Sequence, residues 1–177
     1  MSTGAKPARD AKPARDAKPI RRLMEAAIAQ SLKGMRNGSG GPFGAVVAKD
    51  GKIIAGSHNQ VLSTNDPTAH AEVVAIREAC RKLGTFQLDG CELYTSCEPC
   101  PMCLGAAYWA RVDRIVFANS RADAEAVGFG DDFIYRELAG AMAERRLPAV
   151  RFLAKEAKAA FREWRDRPVK TPYGPTI

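Results

Sequence analysis

Apolar residues recur along the first part of the chain with the spacing of a helix and then of two strands. Met24, Ile28 and Leu32 lie four residues apart, which predicts an amphipathic helix over residues 21–35. Two short apolar runs then flank Asp50-Gly51, a dipeptide that favours a two-residue hairpin turn. The pattern therefore predicts a helix followed by a β-hairpin, with strands at 44–49 and 52–57.

Beyond the hairpin, the pattern alternates between helices and strands. A long helix is predicted over 68–83, with Val73, Ile76 and Ala79 on one face and Gly84 at its end. The remaining predicted elements are a strand at 91–95, a helix at 100–110, a strand at 114–118, a helix near 133–142, a strand at 149–153 and a helix at 155–165. This alternation predicts the α/β class: a three-layer α/β/α sandwich around a mixed five-stranded sheet, with the late strands parallel.

The two ends of the chain differ in composition from its body. Residues 5–19 repeat Ala-Lys-Pro-Ala-Arg-Asp, and a proline every six residues forbids a continuous helix. We therefore predict a disordered basic tail over 1–19, one domain over 20–165 and a C-terminal tail over 166–177. The length of 177 residues, 46% of them hydrophobic, suits one domain with a full core.

Charge and hydropathy narrow the choice of partners. The net charge is +7, but residues 1–22 carry +5 of it, so the body is close to neutral. This distribution argues against a nucleic-acid partner. The sequence has no apolar run of the ~18 residues that a membrane span needs, and its first nineteen residues lack a signal-peptide core. The expectation is a cytoplasmic protein that does not bind membranes.

The five cysteines favour metal or redox chemistry over a disulfide scaffold, because their number is odd and three of them are clustered. Cys97, Cys100 and Cys103 resemble the start of an iron–sulfur ligand run, but no downstream cysteine supplies a fourth thiolate. A thioredoxin-like dithiol would explain only Cys100 and Cys103. We expect Cys80 and Cys91 to be core residues and Cys97 to flank the site without binding metal.

A histidine and a glutamate open the predicted long helix, in the segment His70-Ala71-Glu72. Asp66 or Thr68 is expected to cap this helix, so His70 lies near its N-terminus. Cys100 and Cys103 open the next predicted helix, where both sulfurs face one side and the helix dipole favours thiolates. One imidazole and two thiolates leave the fourth position of a tetrahedral zinc open for water, as in catalytic sites. Glu72 is then placed to move protons between that water and a leaving amine.

The pairing of His-x-Glu with a later Pro-Cys-x-x-Cys resembles the established signature of zinc-dependent base deaminases. The chain from about Leu23 to Tyr173 resembles the cytidine deaminase-like superfamily, and within it the short bacterial guanine deaminases. The stretches that carry the resemblance are 40–46 (GGPFGAV), 65–72 (NDPTAHAE), 95–105 (TSCEPCPMCLG), 108–111 (YWAR) and 129–135 (FGDDFIY). Within the superfamily, the stretches 40–46, 108–111 and 129–135 are the ones that resemble guanine deaminases.

The resemblance implies hydrolysis of guanine to xanthine and ammonia with a Zn²⁺ cofactor. Five residues are expected to contact the purine: Phe43, Asn59, Trp109, Asp131 and Tyr173. Aromatic side chains would form the walls for a flat base, and a carboxylate would accept from the ring N–H of guanine. For the aromatic residues the alternative is core packing, and for Asp131 it is a solvated helix cap. Family members end in a tyrosine that reaches a partner subunit's site, which implies a homodimer whose C-terminal helix and tail are exchanged with the partner or packed against it. In this chain Gly-Pro-Thr-Ile follows Tyr173.

Three other functions remain open. A guanosine deaminase needs only additional space for a ribose. A tRNA adenosine deaminase shares the zinc signature but needs a basic surface, which the near-neutral body does not offer. A non-catalytic zinc-stabilised binding module would keep His70, Cys100 and Cys103 without needing Glu72, so the presence of this glutamate favours an enzyme.

Overall fold

The computed structural model describes residues 17–173 of the chain. Its elements in chain order are α1 (Ala17–Arg36), β1 (Gly44–Lys49), β2 (Lys52–His58), α2 (Val61–Thr64), α3 (Ala71–Leu83), β3 (Cys91–Cys97), α4 (Pro101–Ala110), β4 (Arg114–Asn119), α5 (Arg121–Ala126), α6 (Asp132–Ala139), a 3₁₀ turn (Met142–Glu144) and α7 (Ala154–Asp166). Among these residues, no helix combines the length and apolar character needed to cross a membrane.

The sheet is mixed and has the strand order β2-β1-β3-β4. β1 pairs antiparallel with both β2 and β3, whereas β3 and β4 are parallel. Asp50 and Gly51 join β1 to β2 with φ angles of 49° and 71°. Positive φ at both positions is the requirement of a type I′ turn, so the predicted hairpin is confirmed together with its physical reason.

Helices cover both faces of this sheet. On β1, Val46 faces α1 and packs with its Leu23, whereas the next residue, Val47, faces α3 and packs with its Ala75. This alternation is the period-2 pattern of a strand buried on both sides. Gly44 permits the close approach of α1, because a Cβ there would lie 2.3 Å from the carbonyl oxygen of Ala27. The predicted α/β class and three-layer arrangement follow from this packing.

The prediction of a fifth strand is wrong for the described chain, whose sheet has four strands. Residues 149–153 form neither helix nor strand. Val150 and Phe152, whose alternation suggested the strand, are 88% and 82% exposed. An apolar alternation predicts that a segment suits a sheet, but a strand forms only where an open edge supplies its hydrogen bonds.

The termini also differ from the predicted boundaries. α1 begins at Ala17, so residues 17–19 belong to the helix; Pro19 is tolerated there because N–H groups of a first turn need no intrahelical partner. The rest of the predicted tail, residues 1–16, lies outside the described residues, as do residues 174–177. The described chain after α7 contains no further helix or strand. The short helices α2 and α5 were not predicted.

Candidate metal centre and adjoining cavity

His70 lies at the N-cap position of α3, with an extended backbone and no capping hydrogen bond from its side chain. The helix therefore begins at Ala71, later than predicted. Asp66 does not cap α3, because its carboxylate accepts from the backbone N–H and the hydroxyl of Thr68 at 2.8 and 2.6 Å. Asp66 and Thr68 therefore hydrogen-bond to each other and do not cap the helix. The imidazole of His70 makes no capping hydrogen bond either, so it is free to bind a metal.

The two predicted cysteine ligands open α4 in the same way. Cys100 is the N-cap residue, and its sulfur lies 3.5 Å from the backbone N–H of Cys103, which donates to it. Pro101 occupies the first helical position, where its missing N–H does no harm. The N-termini of α3 and α4 thus bring the side chains of His70, Cys100 and Cys103 close together.

The distances between these side chains fit a zinc ion. Nδ1 of His70 lies 3.6 Å from Sγ of Cys100 and 3.5 Å from Sγ of Cys103. In a tetrahedral site with Zn–S of about 2.3 Å and Zn–N of about 2.0 Å, the nitrogen and sulfur ligands are about 3.5 Å apart. All three ligand atoms lie within 4.8 Å of one another, so geometry and donor chemistry agree with a three-ligand zinc centre.

The pKa values of the Cys100 and Cys103 thiols are shifted in opposite directions. The pKa of Cys100 is lowered to about 4, first by the hydrogen bond from the Cys103 thiol and then by His70 and the backbone N–H of Cys103. The pKa of the Cys103 thiol is raised, because it donates that hydrogen bond and because it is buried. The thiol of Cys100 therefore loses its proton more readily than that of Cys103, as expected for a metal ligand at a helix start.

Glu72 lies on the first turn of α3 and is buried, with 6% of its surface exposed. Burial is the main cause that raises the pKa of its carboxyl group, and the nearby Cys100 raises it further. A carboxyl group whose pKa is shifted towards neutral pH can both accept and donate a proton. Its position and its proton affinity therefore suit the predicted shuttle.

A cavity of about 510 Å³ adjoins these residues. Its wall includes His70, Glu72 and Cys100, together with three of the predicted purine contacts: Phe43, Asn59 and Asp131. One side of the cavity depends on two glycines. A Cβ at Gly40 would lie 2.0 Å from Oδ1 of Asn59, and one at Gly41 would lie 2.9 Å from the ring of Phe129.

Asp131 immediately precedes α6 and lines this cavity. Its Oδ1 has no hydrogen-bond partner among residues 17–173. The pKa of Asp131 is raised, mainly by burial and further by the charge of Cys100. A buried acceptor without a partner costs free energy, so it is suited to accept from a bound ligand.

Two predicted purine contacts lie elsewhere in the chain. Trp109 and Tyr173 line a separate surface cleft beside α3 and α4, and Trp109 is 55% exposed. At about 100° per residue, Trp109 is turned roughly 240° around α4 from Cys103, so it cannot face the same side. The ring of Tyr173 instead packs edge-on against those of Phe86 and Trp164, with centroid separations of 6.3 and 6.5 Å.

Comparison with known proteins agrees with this geometry. Residues 17–119 match the family described as the cytidine and deoxycytidylate deaminase zinc-binding region. The chain belongs to this zinc-binding deaminase family. It is therefore a zinc-dependent hydrolase, and its centre of His70, Cys100 and Cys103 stands where the family signature requires metal ligands.

Individual relatives of the deaminase are similar over different lengths. Guanine deaminase from Bacillus subtilis is 50% identical over 150 residues, which are 85% of this chain and 96% of that protein. A crystal structure of guanine deaminase from B. subtilis has a TM-score of 0.84 at 49% identity, covering 86% of this chain and 98% of that one. The tRNA-specific adenosine deaminase of Aquifex aeolicus is 51% identical, but over only 77 residues, 44% of this chain and 51% of that protein.

The sequence analysis missed several residues that line the cavity of the deaminase. Phe129 packs edge-on against Phe43, with ring centroids 5.0 Å apart. Glu98 and Arg121 also line the cavity and form an ion pair at 3.2 Å. The available signal for Arg121 was the Ser-x-x-Asp pattern at Ser120, which forms a capping box and places the arginine in the first turn of α5.

Proposed function

We propose that this deaminase hydrolyses the 2-amino group of guanine, giving xanthine and ammonia. The observation that carries the proposal is the unpartnered Oδ1 of Asp131, a residue that lines the cavity together with Glu72, His70 and Cys100. Guanine presents N–H donors on its pyrimidine ring, whereas adenine has a bare N1 that would face the carboxylate without a hydrogen bond. The similarity to guanine deaminase over nearly the whole length of the relative supports the same substrate.

The metal and Glu72 have complementary roles in the proposed reaction. Zinc bound to the three ligands supplies Lewis-acid activation of a water molecule, lowering its pKa towards neutrality. Glu72 accepts a proton from that water as its oxygen bonds to C2 of guanine. The carboxyl group then gives this proton to the adjacent ring nitrogen. Glu72 next takes the proton of the new C2 hydroxyl and passes it to the 2-amino group, so that the C2–N bond breaks, C2=O forms and ammonia leaves. Water is consumed, and no oxidant or reductant is needed.

The cavity wall has features that suit a flat base. Phe43 is fixed by its edge-on contact with Phe129, so an aromatic surface is available for stacking. Oδ1 of Asn59 accepts from the backbone N–H of Val61 at 3.2 Å. We therefore assign the amide nitrogen of Asn59 to donate to an acceptor atom of the purine.

A homodimer is part of this proposal. The C-terminal arm, which we define as residues 140–173, exposes its apolar residues, and Phe161 on α7 is 79% exposed. The sheet ends at β4, whose outer edge pairs with no described strand. We propose that residues 149–153 of one subunit pair with β4 of the other, as the fifth strand that one chain does not form.

The same exchange supports a role for the two predicted contacts outside the cavity. Tyr173 lies at the end of the described arm, so an exchanged arm would carry it to the partner. Trp109 lies on an exposed face that a partner could cover. A cytoplasmic location completes the proposal, since a reducing compartment keeps the ligand thiols available for metal.

The decisive experiment measures ammonia release by the purified, zinc-loaded protein from guanine, guanosine, adenine, cytosine, cytidine and a tRNA anticodon stem-loop. We expect guanine to have the highest kcat/KM. Asp131→Ala should lower kcat/KM for guanine roughly thirtyfold, the equivalent of a lost charged hydrogen bond of about 2 kcal/mol.

Asp89→Ala, an exposed aspartate remote from the cavity, is the matched control and should leave kcat/KM unchanged. A preference for guanosine or for the stem-loop would assign the chain to one of the alternative substrates. Zinc binding without ammonia release from any substrate would favour the binding module.

A further inference from the structure

The carboxylate of Asp131 and the metal ligand Cys100 reach the cavity from two segments that share no strand pairing. Cys100 follows the short loop after β3, and Asp131 precedes α6. A purine held by Asp131 while it reacts beside the metal centre requires a fixed separation between the two segments. The side chain of Arg121, at the start of α5, forms ion pairs with a residue of each segment.

On the side of the metal, Arg121 is bound to Glu98, two residues before Cys100. Its backbone N–H donates to Oε2 of Glu98 at 3.2 Å, and its Nε lies 3.2 Å from Oε1. The loop is held from the other side as well, because the backbone N–H of Glu98 donates to the carbonyl of Asn119 at 2.8 Å. The charged contact therefore acts on a loop whose backbone is already anchored to β4.

On the side of α6, Arg121 makes two further contacts. Its Nη1 lies 3.6 Å from Oδ1 of Asp132, the residue next to Asp131. Its guanidinium lies over the ring of Tyr135, 4.4 Å from the centroid. The hydroxyl of Tyr135 donates to the carbonyl of Pro99 at 2.7 Å, which closes the set of contacts back onto the metal-side loop.

We propose that Arg121 is a positioning residue that fixes the separation between Asp131 and Cys100, and thereby sets the affinity for the purine. The proposal rests on the proposed function, since it assigns Asp131 to contact guanine. The planar guanidinium suits this role, because it can pair with a carboxylate through one edge while its face stacks on an aromatic ring. Lysine could retain the charge but not the stacked geometry.

Electrostatics supports the same arrangement. Burial and the charges of Cys100 and Glu98 raise the pKa of Asp131, and the guanidinium of Arg121 opposes them. Arg121 thus favours the ionised form of the carboxylate that is proposed to accept from guanine.

The test compares Arg121→Met with Arg121→Lys in the zinc-loaded enzyme. We expect Arg121→Met to raise KM for guanine on the order of tenfold or more, with a smaller change in kcat, as for a misplaced binding group. Zinc should remain at the wild-type content per chain. Arg121→Lys should recover part of the loss in KM, whereas a purely structural role would lower the active fraction and leave KM unchanged.

Arg136→Met is the matched control. Arg136 pairs with the same carboxylate of Asp132, at 3.4 Å, but projects from the exposed side of α6. This variant should keep the wild-type KM. Equal KM values for Arg121→Met, Arg136→Met and the wild type would overturn the proposal.

A second measurement separates this proposal from the proposed function. Amide hydrogen exchange across α6 should be faster in Arg121→Met than in Arg136→Met, because only the former loses the contacts to the metal-side loop. If the wild type fails to deaminate guanine, the proposed function is wrong, and exchange in α6 still decides whether Arg121 holds the two segments together. Equal rates of amide exchange in α6 of the two variants would show that Arg121 does not hold the segments together.

Discussion

The deaminase core and the C-terminal arm differ in how they use their apolar residues. Among residues 17–173, every buried side chain lies at or before Ala124. In the core, Leu93 and Val47 are fully buried between sheet and helices. In the arm, Phe152 is 82% exposed and Val150 is 88% exposed. The core therefore buries its apolar residues within one chain, whereas the arm leaves them exposed, as interaction surfaces do.

Removal of the metal ligands should cause the largest loss of activity and stability, and this loss should be confined to the core. Cys100→Ala combined with Cys103→Ala leaves one of three ligands, so we expect loss of zinc, loss of turnover and a lower unfolding temperature, because metal binding stabilises the folded state. Metal analysis and circular dichroism measure these changes. Cys80→Ala, at a half-buried thiol outside the cluster, should keep the metal. Full zinc occupancy in the double variant would refute the ligand assignment.

Glu72→Gln should separate chemistry from folding within the core. Glutamine keeps the size of the side chain but cannot transfer a proton, so turnover should fall roughly a hundredfold or more while zinc stays bound. Stopped assays of ammonia release at saturating guanine measure this. Glu78→Gln on the same helix is the control, because Glu78 pairs with Arg81 on the surface. Turnover close to that of the wild type would exclude Glu72 as the shuttle.

Charged substitutions in the arm should change the oligomeric state and leave the stability of the core unchanged. Val150→Asp together with Phe152→Asp should convert a dimer to a monomer at micromolar concentration, since buried carboxylates without partners are costly. Zinc content and the unfolding transition of the core should change little. Light scattering gives the mass. Arg151→Asp is the control, because alternate residues of a strand face opposite sides. A wild-type monomer with full activity would refute the exchanged dimer.

A smaller effect should appear in the core at alkaline pH. Burial, and then the hydrogen bond to Glu92 at 2.6 Å, raise the pKa of Tyr94 to about 12. The folded state therefore binds the phenolic proton more tightly than the unfolded state, whose pKa is about 10. The stability that this proton contributes is complete below pH 10 and is lost as the pH rises towards 12. Tyr94→Phe should flatten the fall in unfolding free energy over this range, as measured by urea denaturation at each pH.

The sequence predicted those features that depend on local physics. The hairpin followed from Asp50-Gly51, because few residue pairs accept positive φ at both positions. The grouping of His70, Cys100 and Cys103 followed from two helix starts with compatible side chains, and the structure brings these three together. The place of Trp109 was not predictable, because a motif gives the order of residues but not the face of the helix on which each one lies.

Features that depend on contacts between distant segments could not be predicted. The proposed role of Arg121 rests on its ion pairs with Glu98 and Asp132, which lie on either side of it in the sequence and meet only in the fold. The predicted strand at 149–153 is a different case. Its pattern suits a sheet, but the pattern does not specify which edge, or which chain, supplies the hydrogen bonds.

The placement of the metal ligands has a consequence for how the stability of this protein should be measured. His70 and Cys100 are 30 residues apart and meet only in the folded chain, so zinc binds the folded state in preference to the unfolded one. By mass action, each tenfold rise in free zinc above the dissociation constant adds about 1.4 kcal/mol to the free energy of unfolding. The midpoint of thermal unfolding is therefore a gauge of the free zinc in the buffer. Two preparations can be compared only at the same zinc activity.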